Sequence, residues 1–374
     1  MAMQYRPFGK TGEQVSVLGY GCMRLPSLDI PFGGEKIDEA EAIRLIRYAI
    51  DQGINYVDTA FMYHGGNSEG LVGKALKDGY RAKTLLATKS PFGGFSKPED
   101  FDRHLAIQLE RLGVDTIDFY LLHAASRNSW ENVALKFGLL SKMEKAKADG
   151  KIRHIGFSFH DDYDAFQEIV DAYDWDFCQI QLNYIDVEHQ AGLRGLEYAA
   201  AKGMGVIIME PLLGGKLANP TDQVRKVLPA DKTPVQAALD FLWNRPEVSL
   251  ILSGMGTAQQ LEDNLAYADD SRPGKLSEEE LAAYTEAKRV YDTMARVPCT
   301  KCAYCMPCPF GVNIPGVFEA YNKSALSMEE AKALYDGLDG QAALCRKCRK
   351  CEKICPQHME ISRLMMEVSD FFNA

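Results

Sequence analysis

The chain has 374 residues, more than one ordinary domain needs and enough for a barrel of about 250 residues with a smaller unit attached. Hydrophobic residues make up 46% and charged residues 25%, the balance of a globular protein with ample core material. A net charge of −10 argues against nucleic acid as a partner, no apolar run nears the roughly 18 residues of a membrane span, and MAMQYRPFGK lacks the apolar centre of a secretion signal, so a cytoplasmic location is expected.

Short apolar runs alternate with amphipathic stretches over the first 270 residues. VSVLGYG comes first. A helical pattern follows in which Ile43, Ile46 and Ile50 share a face, Asp38 and Glu41 form a capping box, and Gly53 sits at the C-terminus. Next come NYVDTA (55–60), TLLATKS (84–90), IDFYLLH (117–123), RHIGFSF (153–159), FCQIQLN (177–183), GVIIME (205–210) and VSLILSG (248–254). Helical patterns stand between them at 98–112, 132–149, 163–172, 191–202 and 233–244. Near-continuous apolar strands are those buried on both faces of a parallel sheet, and eight of them with intervening helices predict an α/β fold, a (β/α)8 TIM barrel. No G-x-G-x-x-G follows any strand, which removes the main signal for an open dinucleotide-binding sheet. A helix over 257–267, capped by Thr257 with Gln260, begins just past the eighth strand, where barrels of this type hold a phosphate. A last helix, roughly 277–294, leads into a cysteine-rich stretch. The expected division is a barrel at 1–294 and a small, mainly helical unit at 295–374.

Chemistry in such a barrel gathers at the C-terminal ends of the strands. Asp58 ends the second strand, Tyr63 lies in the loop after it, Lys89 ends the third and His123 the fourth. Taken singly, Asp58 with Lys89 also reads as a structural ion pair and His123 as a satisfied buried histidine; adjacent loops let all four converge. VDTAFMY (57–63), ATKS (87–90), YLLH (120–123) and the opening YRPFGKTGEQVSVLGYGCMRL resemble the aldo-keto reductase family over about 1–270. The resemblance implies reduction of a small carbonyl, or oxidation of an alcohol, with a nicotinamide cofactor. In those terms Tyr63 protonates the developing alkoxide, Lys89 lowers the Tyr63 pKa, Asp58 orients Lys89, and His123 holds the carbonyl oxygen. It also implies cofactor contacts. Ser158 and Gln179 match residues that hold the carboxamide, with Phe159 and His160 departing from the pattern beside Ser158. Met209 stands where a tyrosine usually stacks on the ring. Gly254, Gln260 and Asn264 lie on the loop and helix that hold the adenosine phosphate. No Arg or Lys stands among these last positions to grip a 2′-phosphate, so NADPH preference is in doubt, and NADH, NADPH and a flavin all stay open. His64 reads as a loop residue within reach of substrate. The insertion LPSLDIPFGGEK (25–36) reads as a pocket cover, movable at Gly33 and Gly34.

Eight of the ten cysteines fall in one stretch: Cys299, Cys302, Cys305 and Cys308-Pro309, then Cys345, Cys348, Cys351 and Cys355-Pro356. The second run has the bacterial ferredoxin spacing, and the first is one residue short before its last cysteine. Two 4Fe-4S clusters in a ferredoxin-like unit are expected, with a zinc ribbon as the alternative. In two-cluster ferredoxins the fourth cysteine of each run serves the other cluster. That rule groups Cys299, Cys302 and Cys305 with Cys355, and Cys345, Cys348 and Cys351 with Cys308; a first run closing on its own four is the alternative. The stretch resembles the ferredoxin-type extension of one aldo-keto reductase subgroup. Cys22 and Cys178 read as core residues. Arg346, Lys347, Arg349 and Lys350 crowd the second run, where they would raise a cluster potential, dock an acidic ferredoxin or flavodoxin, or form a solvated basic turn. The reading is an oxidoreductase whose clusters exchange electrons with a partner. The alternative is a non-catalytic redox sensor, or an electron-transfer protein, on the same scaffold.

Overall fold

The computed structural model of the protein describes residues 3–30, 34–294, 296–325 and 327–373. Gly33, half of the expected hinge, and residue 295 at the expected boundary lie outside the described residues. Two compact units form: Met1–Pro211 with Val235–Ser277, and Leu212–Pro234 with Glu278–Ala374.

The first unit opens with an antiparallel hairpin, β1 (Tyr5–Pro7) and β2 (Gln14–Ser16). Its turn drives the fully buried Phe8 ring in among Phe119 at 5.0 Å, Phe177 at 5.5 Å and Tyr56 at 6.2 Å, which closes the N-terminal end of a barrel. A Cβ on Gly205 would meet that ring at 2.5 Å, so only glycine fits there. Eight parallel strands form the barrel: β3 (Leu18–Gly21), β4 (Tyr56–Asp58), β5 (Leu85–Ser90), β6 (Ile117–Ala125), β7 (Ile152–Phe159), β8 (Phe177–Gln181), β9 (Gly205–Met209) and β10 (Leu250–Ser253). They pair in chain order, and β10 closes the ring on β3. Every predicted apolar run is one of these strands. The register of β6 on β7 shifts between Leu122 and Ala125, a bulge that re-aims His123 at the rim.

The helix Glu39–Asp51 buries Ala42, Leu45, Ile46, Ala49 and Ile50, and Ile43 stands at the side of that face. Asp38 accepts from the Glu41 N–H at 3.2 Å, and Gly53 takes the left-handed conformation expected of it, φ +99°. The stretch predicted as one helix over 132–149 breaks at Gly138, φ +63°, into a π-type turn (Trp130–Leu135) and a helix (Leu139–Ala148). A further helix, Ser68–Ala75, carries two glycines and too little periodicity to be read from sequence.

The second unit is mainly helical: Glu278–Met294, Ile314–Lys323, Met328–Asp336 and Ile361–Asn373. Val317, Phe318, Tyr335, Met365, Val368 and Phe372 form its core, with the Tyr335 and Phe372 rings stacked at 4.3 Å. The segment Leu212–Pro234, which follows β9 in the chain, belongs to this unit. There Lys216 donates to the carbonyl of Cys299, and Gly214, φ +66°, sits so close to the carbonyl of Thr300 that a Cβ would overlap it. Among the described residues no helix is long and apolar enough to cross a membrane.

Candidate functional site

The four rim residues come together in the first unit. Lys89, fully buried at the end of β5, donates to Asp58 Oδ1 at 2.5 Å, to the Thr59 carbonyl at 2.7 Å and to the Tyr63 hydroxyl at 3.3 Å. An ammonium has three donors, so all three are used. Tyr63 accepts from Lys89, which leaves its own O–H to point elsewhere. The His123 ring meets Tyr63 edge-on, centroids 5.8 Å apart. Tyr63 and His123 keep part of their surface open to the barrel mouth, yet protein atoms crowd them on the other sides. That crowding sets both titrations. Burial holds His123 well below the usual imidazole range, helped by the positive charge of Lys89 and by His160. Burial also pushes the Tyr63 phenol well above 10, with the carboxylate of Asp58 adding to it. The lowering by Lys89 expected from the sequence is not seen, because burial raises the pKa, and Tyr63 is a neutral phenol at ordinary pH.

A buried polar network fixes these groups from behind. Glu69, with no exposed surface, accepts from Thr88 at 2.7 Å, from Gln108 at 2.7 Å and from Arg111 at 3.2 Å. Gln108 also donates to the carbonyl of Lys89 at 3.0 Å and accepts from the Tyr120 hydroxyl at 2.6 Å. Arg111 reaches the Phe61 carbonyl at 3.2 Å and so holds the loop that carries Tyr63. Nothing in the sequence marks Glu69, Gln108 or Arg111, because they act on the rim residues only through the folded barrel. Three non-glycine residues, His64 in the loop after β4, Ala124 at the bulged end of β6 and Glu210 just past β9, hold φ near +55°, each at a cost of order 1–3 kcal/mol. Strain of this kind collects where a fold over-determines a site.

His64 is buried. Its Nε2 accepts from the Leu25 N–H at 3.3 Å, which makes Nδ1 the donor to the Gly34 carbonyl at 2.5 Å. It therefore pins the 25–36 insertion rather than facing a substrate. Cys22 and Cys178 are core residues with no exposed surface.

The expected cofactor positions are split. Ser158 accepts from the Ala124 N–H at 2.7 Å and so braces the residue after His123. Gln179 donates to the Met209 sulfur at 3.4 Å, and its Oε1 is buried with no hydrogen-bond partner. Gln260 accepts from the Gly256 N–H at 2.9 Å, Asn264 donates to Ser253 at 3.1 Å, and Thr257 caps the helix Ala258–Ala268. A methyl group on Gly254 would stand 3.1 Å from Cβ of Arg24. The aliphatic part of the Arg24 side chain, from the turn after β3, thus packs beside Gly254, some 230 residues away in sequence.

In the second unit Cys299, Cys302, Cys305 and Cys355 line one cavity together with Ile314 and Met359; Cys308 does not line it. Among the described residues no three metal-ligating side chains converge on one point. The four thiols instead surround a volume. The Cys305 thiol is pushed up to about 12 by burial and by the neighbouring Cys302, Cys299 and Cys355. Cys351 is pushed up to about 11, chiefly by burial, with Cys345 contributing. Thiolates crowded like this need cations to hold them ionised. Cys308 lies on a stretch whose Gly311 and Asn313 meet Leu344 and Gly340, beside the second run. Both runs repeat one backbone shape: Lys301 and Ala303 in the first, Lys347 and Arg349 in the second, have φ between +55° and +63°. The Lys301 N–H is turned onto the Cys299 sulfur. This strained repeat is the second unit's counterpart to the rim of the barrel.

Residues 17–289 match the sequence profile of the Aldo/keto reductase family. The chain belongs to the aldo/keto reductase family. Residues 298–360 match the 4Fe-4S dicluster domain, so this aldo-keto reductase, an oxidoreductase, carries a C-terminal iron–sulfur domain. L-galactose dehydrogenase of Arabidopsis thaliana is 27% identical over 305 residues, spanning 75% of this chain and 92% of the relative. The uncharacterised oxidoreductase YrpG of Bacillus subtilis is 31% identical over 239 residues, 58% of this chain and 69% of its own. Among solved structures, an aldo-keto reductase of Bacillus halodurans in its holo form superposes with a TM-score of 0.64 at 24% identity, covering 76% of this chain and 96% of that one.

Proposed function

We propose that the barrel interconverts a small carbonyl compound and its alcohol with a nicotinamide dinucleotide, and that the cysteine unit holds two 4Fe-4S clusters that exchange electrons with a partner protein. The observation that carries the first part is the three-way donation by Lys89, which commits Tyr63 to accept from behind and to donate outward. The functional halves are taken as 1–294 and 295–374.

The residues present fit a dinucleotide. Gln179 offers a buried carbonyl oxygen in need of a donor, the Ser158 hydroxyl has its own proton still to give, and Arg24 stands with Gly254 near the N-terminus of the helix that includes Gln260 and Asn264. A bound reduced nicotinamide supplies a hydride to the carbonyl carbon. The chain's own residues do the rest. His123, neutral, offers a hydrogen bond to the carbonyl oxygen, and Tyr63 gives its phenolic proton to that oxygen as charge develops. Lys89 stabilises the tyrosinate that remains, and Asp58 holds Lys89 in place. The form of Tyr63 that donates is lost only as pH rises through its raised pKa, and neutral His123 is lost only as pH falls through its lowered one. Carbonyl reduction by the cluster-loaded protein, followed as NADH or NADPH oxidation over a panel of small aldehydes, is therefore expected to be level between about pH 6.5 and 10 on the enzyme side. A break near pH 8 from an ionising tyrosine would contradict it.

The thiols fit two cubanes: Cys299, Cys302, Cys305 and Cys355 line one cavity, and Cys308, which does not line it, lies on the stretch whose Gly311 approaches Leu344, next to Cys345, and would join Cys345, Cys348 and Cys351. Each cluster supplies or accepts one electron at a time. Replacing Cys355 by Ser is expected to lower iron content by about four atoms and to remove the signal of the first-run cluster, and Cys308→Ser to do the same for the second. Iron analysis with EPR of the two variants checks this. Loss of second-run signals in Cys355→Ser would mean that each run closes on itself.

A further inference from the structure

The cysteine unit is uneven in what it shows to solvent. Cys299 and Cys355 are buried, whereas Cys348 is exposed. Around Cys348, the side chains of Arg346, Lys347, Arg349, Lys350 and Lys353 are all exposed. Arg349 lies 3.7 Å from Glu352; the other four have no carboxylate partner among the described residues. Five cations against the single carboxylate of Glu352 within residues 344–353 run opposite to the net charge of −10. Next to them Phe310 and Leu344 are 45% and 40% exposed, and Gly311, which follows Phe310, is placed so that a Cβ on it would stand 4.0 Å from Leu344 Cδ1. An apolar centre with a charged rim is the anatomy of a protein-binding face.

We propose that this face, Phe310 and Leu344 bordered by Arg346, Lys347, Arg349, Lys350 and Lys353, docks a small acidic one-electron carrier protein, and that the second-run cluster is the port through which its electron enters. The proposal rests on the electron-exchange reading above and adds where exchange occurs. The charge selects an acidic partner. The exposed ligand Cys348 within the basic loop makes that partner an electron carrier, since an acidic protein of another kind would have no use for a cluster beneath the contact. The buried Cys299 and Cys355 offer no such approach. In the step, the carrier is oxidised by one electron and the four-iron centre held by Cys345, Cys348, Cys351 and Cys308 is reduced by one; no atom is transferred.

Cluster-loaded protein is to be mixed anaerobically with fully reduced flavodoxin, whose semiquinone absorbs apart from the clusters, and semiquinone formation timed. The wild-type rate is expected to fall steeply with salt. Arg346→Glu with Lys350→Glu is expected to slow it roughly tenfold or more at low salt and to flatten the salt dependence, with iron content unchanged. Phe310→Ser is expected to slow transfer at high salt as well. Lys77→Glu with Lys151→Glu, an equal charge change on exposed residues of the barrel unit, is expected to leave the rate within about twofold. Equal losses from both pairs, or none from the first, overturn the proposal. So does a wild type that accepts nothing from flavodoxin while dithionite still reduces its clusters. Clusters that no reductant reduces would instead overturn the electron-exchange reading itself.

Discussion

Replacing Tyr63 by Phe is expected to lower turnover in carbonyl reduction by about 10²- to 10⁴-fold, the usual worth of a positioned proton donor. The change removes one oxygen. That oxygen accepts from Lys89 at 3.3 Å and is the donor turned toward the barrel mouth. The ring stays, and with it the edge contact to His123, so the KM for the carbonyl compound should change little while kcat falls. Steady-state kinetics with an aldehyde that the wild type reduces will show the split. A fall in kcat/KM carried wholly by KM would assign Tyr63 to binding, and unchanged kinetics would remove it from the reaction. Electron uptake by the clusters should be untouched, because the thiols that would hold them lie in the other compact unit.

The second large effect is on stability. Lys89 has no exposed surface and Asp58 almost none, and they meet at 2.5 Å. The second Asp58 oxygen has no hydrogen-bond partner in the structure, so the pair is held by one strong contact within the barrel wall. Lys89→Met leaves a carboxylate buried without its cation, and is expected to destabilise the fold by about 3–5 kcal/mol. Asp58→Asn alone strands the ammonium but leaves it the Thr59 carbonyl and Tyr63, so a smaller loss is expected. The double variant Asp58→Asn with Lys89→Met removes both charges, and should be more stable than Lys89→Met alone. Denaturant unfolding of the three variants, read on the barrel's tryptophans, measures the coupling. Additive losses would show that the pair contributes no interaction beyond its separate members.

The contrast between what the chain announced and what it concealed follows from distance in sequence. Each of Asp58, Lys89 and His123 stands at or just past the end of an apolar run, so strand periodicity alone carries it to the rim. The cysteine spacing is equally local, whereas the cavity that Cys355 shares with Cys299, Cys302 and Cys305, and that Cys308 does not line, is a feature of the fold. Four things needed the third dimension. The hairpin that seats Phe8 in the barrel floor is too short to show a pattern. Helix Ser68–Ala75, with Gly70 and Gly73, lacks the periodicity that marked its neighbours, although it carries Glu69, the hub behind Lys89. Arg24 meets Gly254 only because the barrel closes β10 onto β3. The segment Leu212–Pro234 joins the cysteine unit through Lys216 and Gly214, residues whose composition says nothing of it. The direction of the Tyr63 titration needs the fold for a different reason: the sequence shows Lys89 nearby but not the depth of burial, and burial is what raises the pKa.

Whether the barrel is a working reductase is tested most directly by isotope transfer. Cluster-loaded protein is incubated anaerobically with NADH or NADPH deuterated at the reactive carbon and a panel of small aldehydes, and the alcohols are examined by mass spectrometry. Deuterium on the former carbonyl carbon, present with the wild type and nearly absent with Tyr63→Phe, is the result predicted here. Clusters that still take up electrons from reduced flavodoxin, with no deuterium in any alcohol and no nucleotide bound, would contradict it and leave the barrel as the scaffold of a redox sensor.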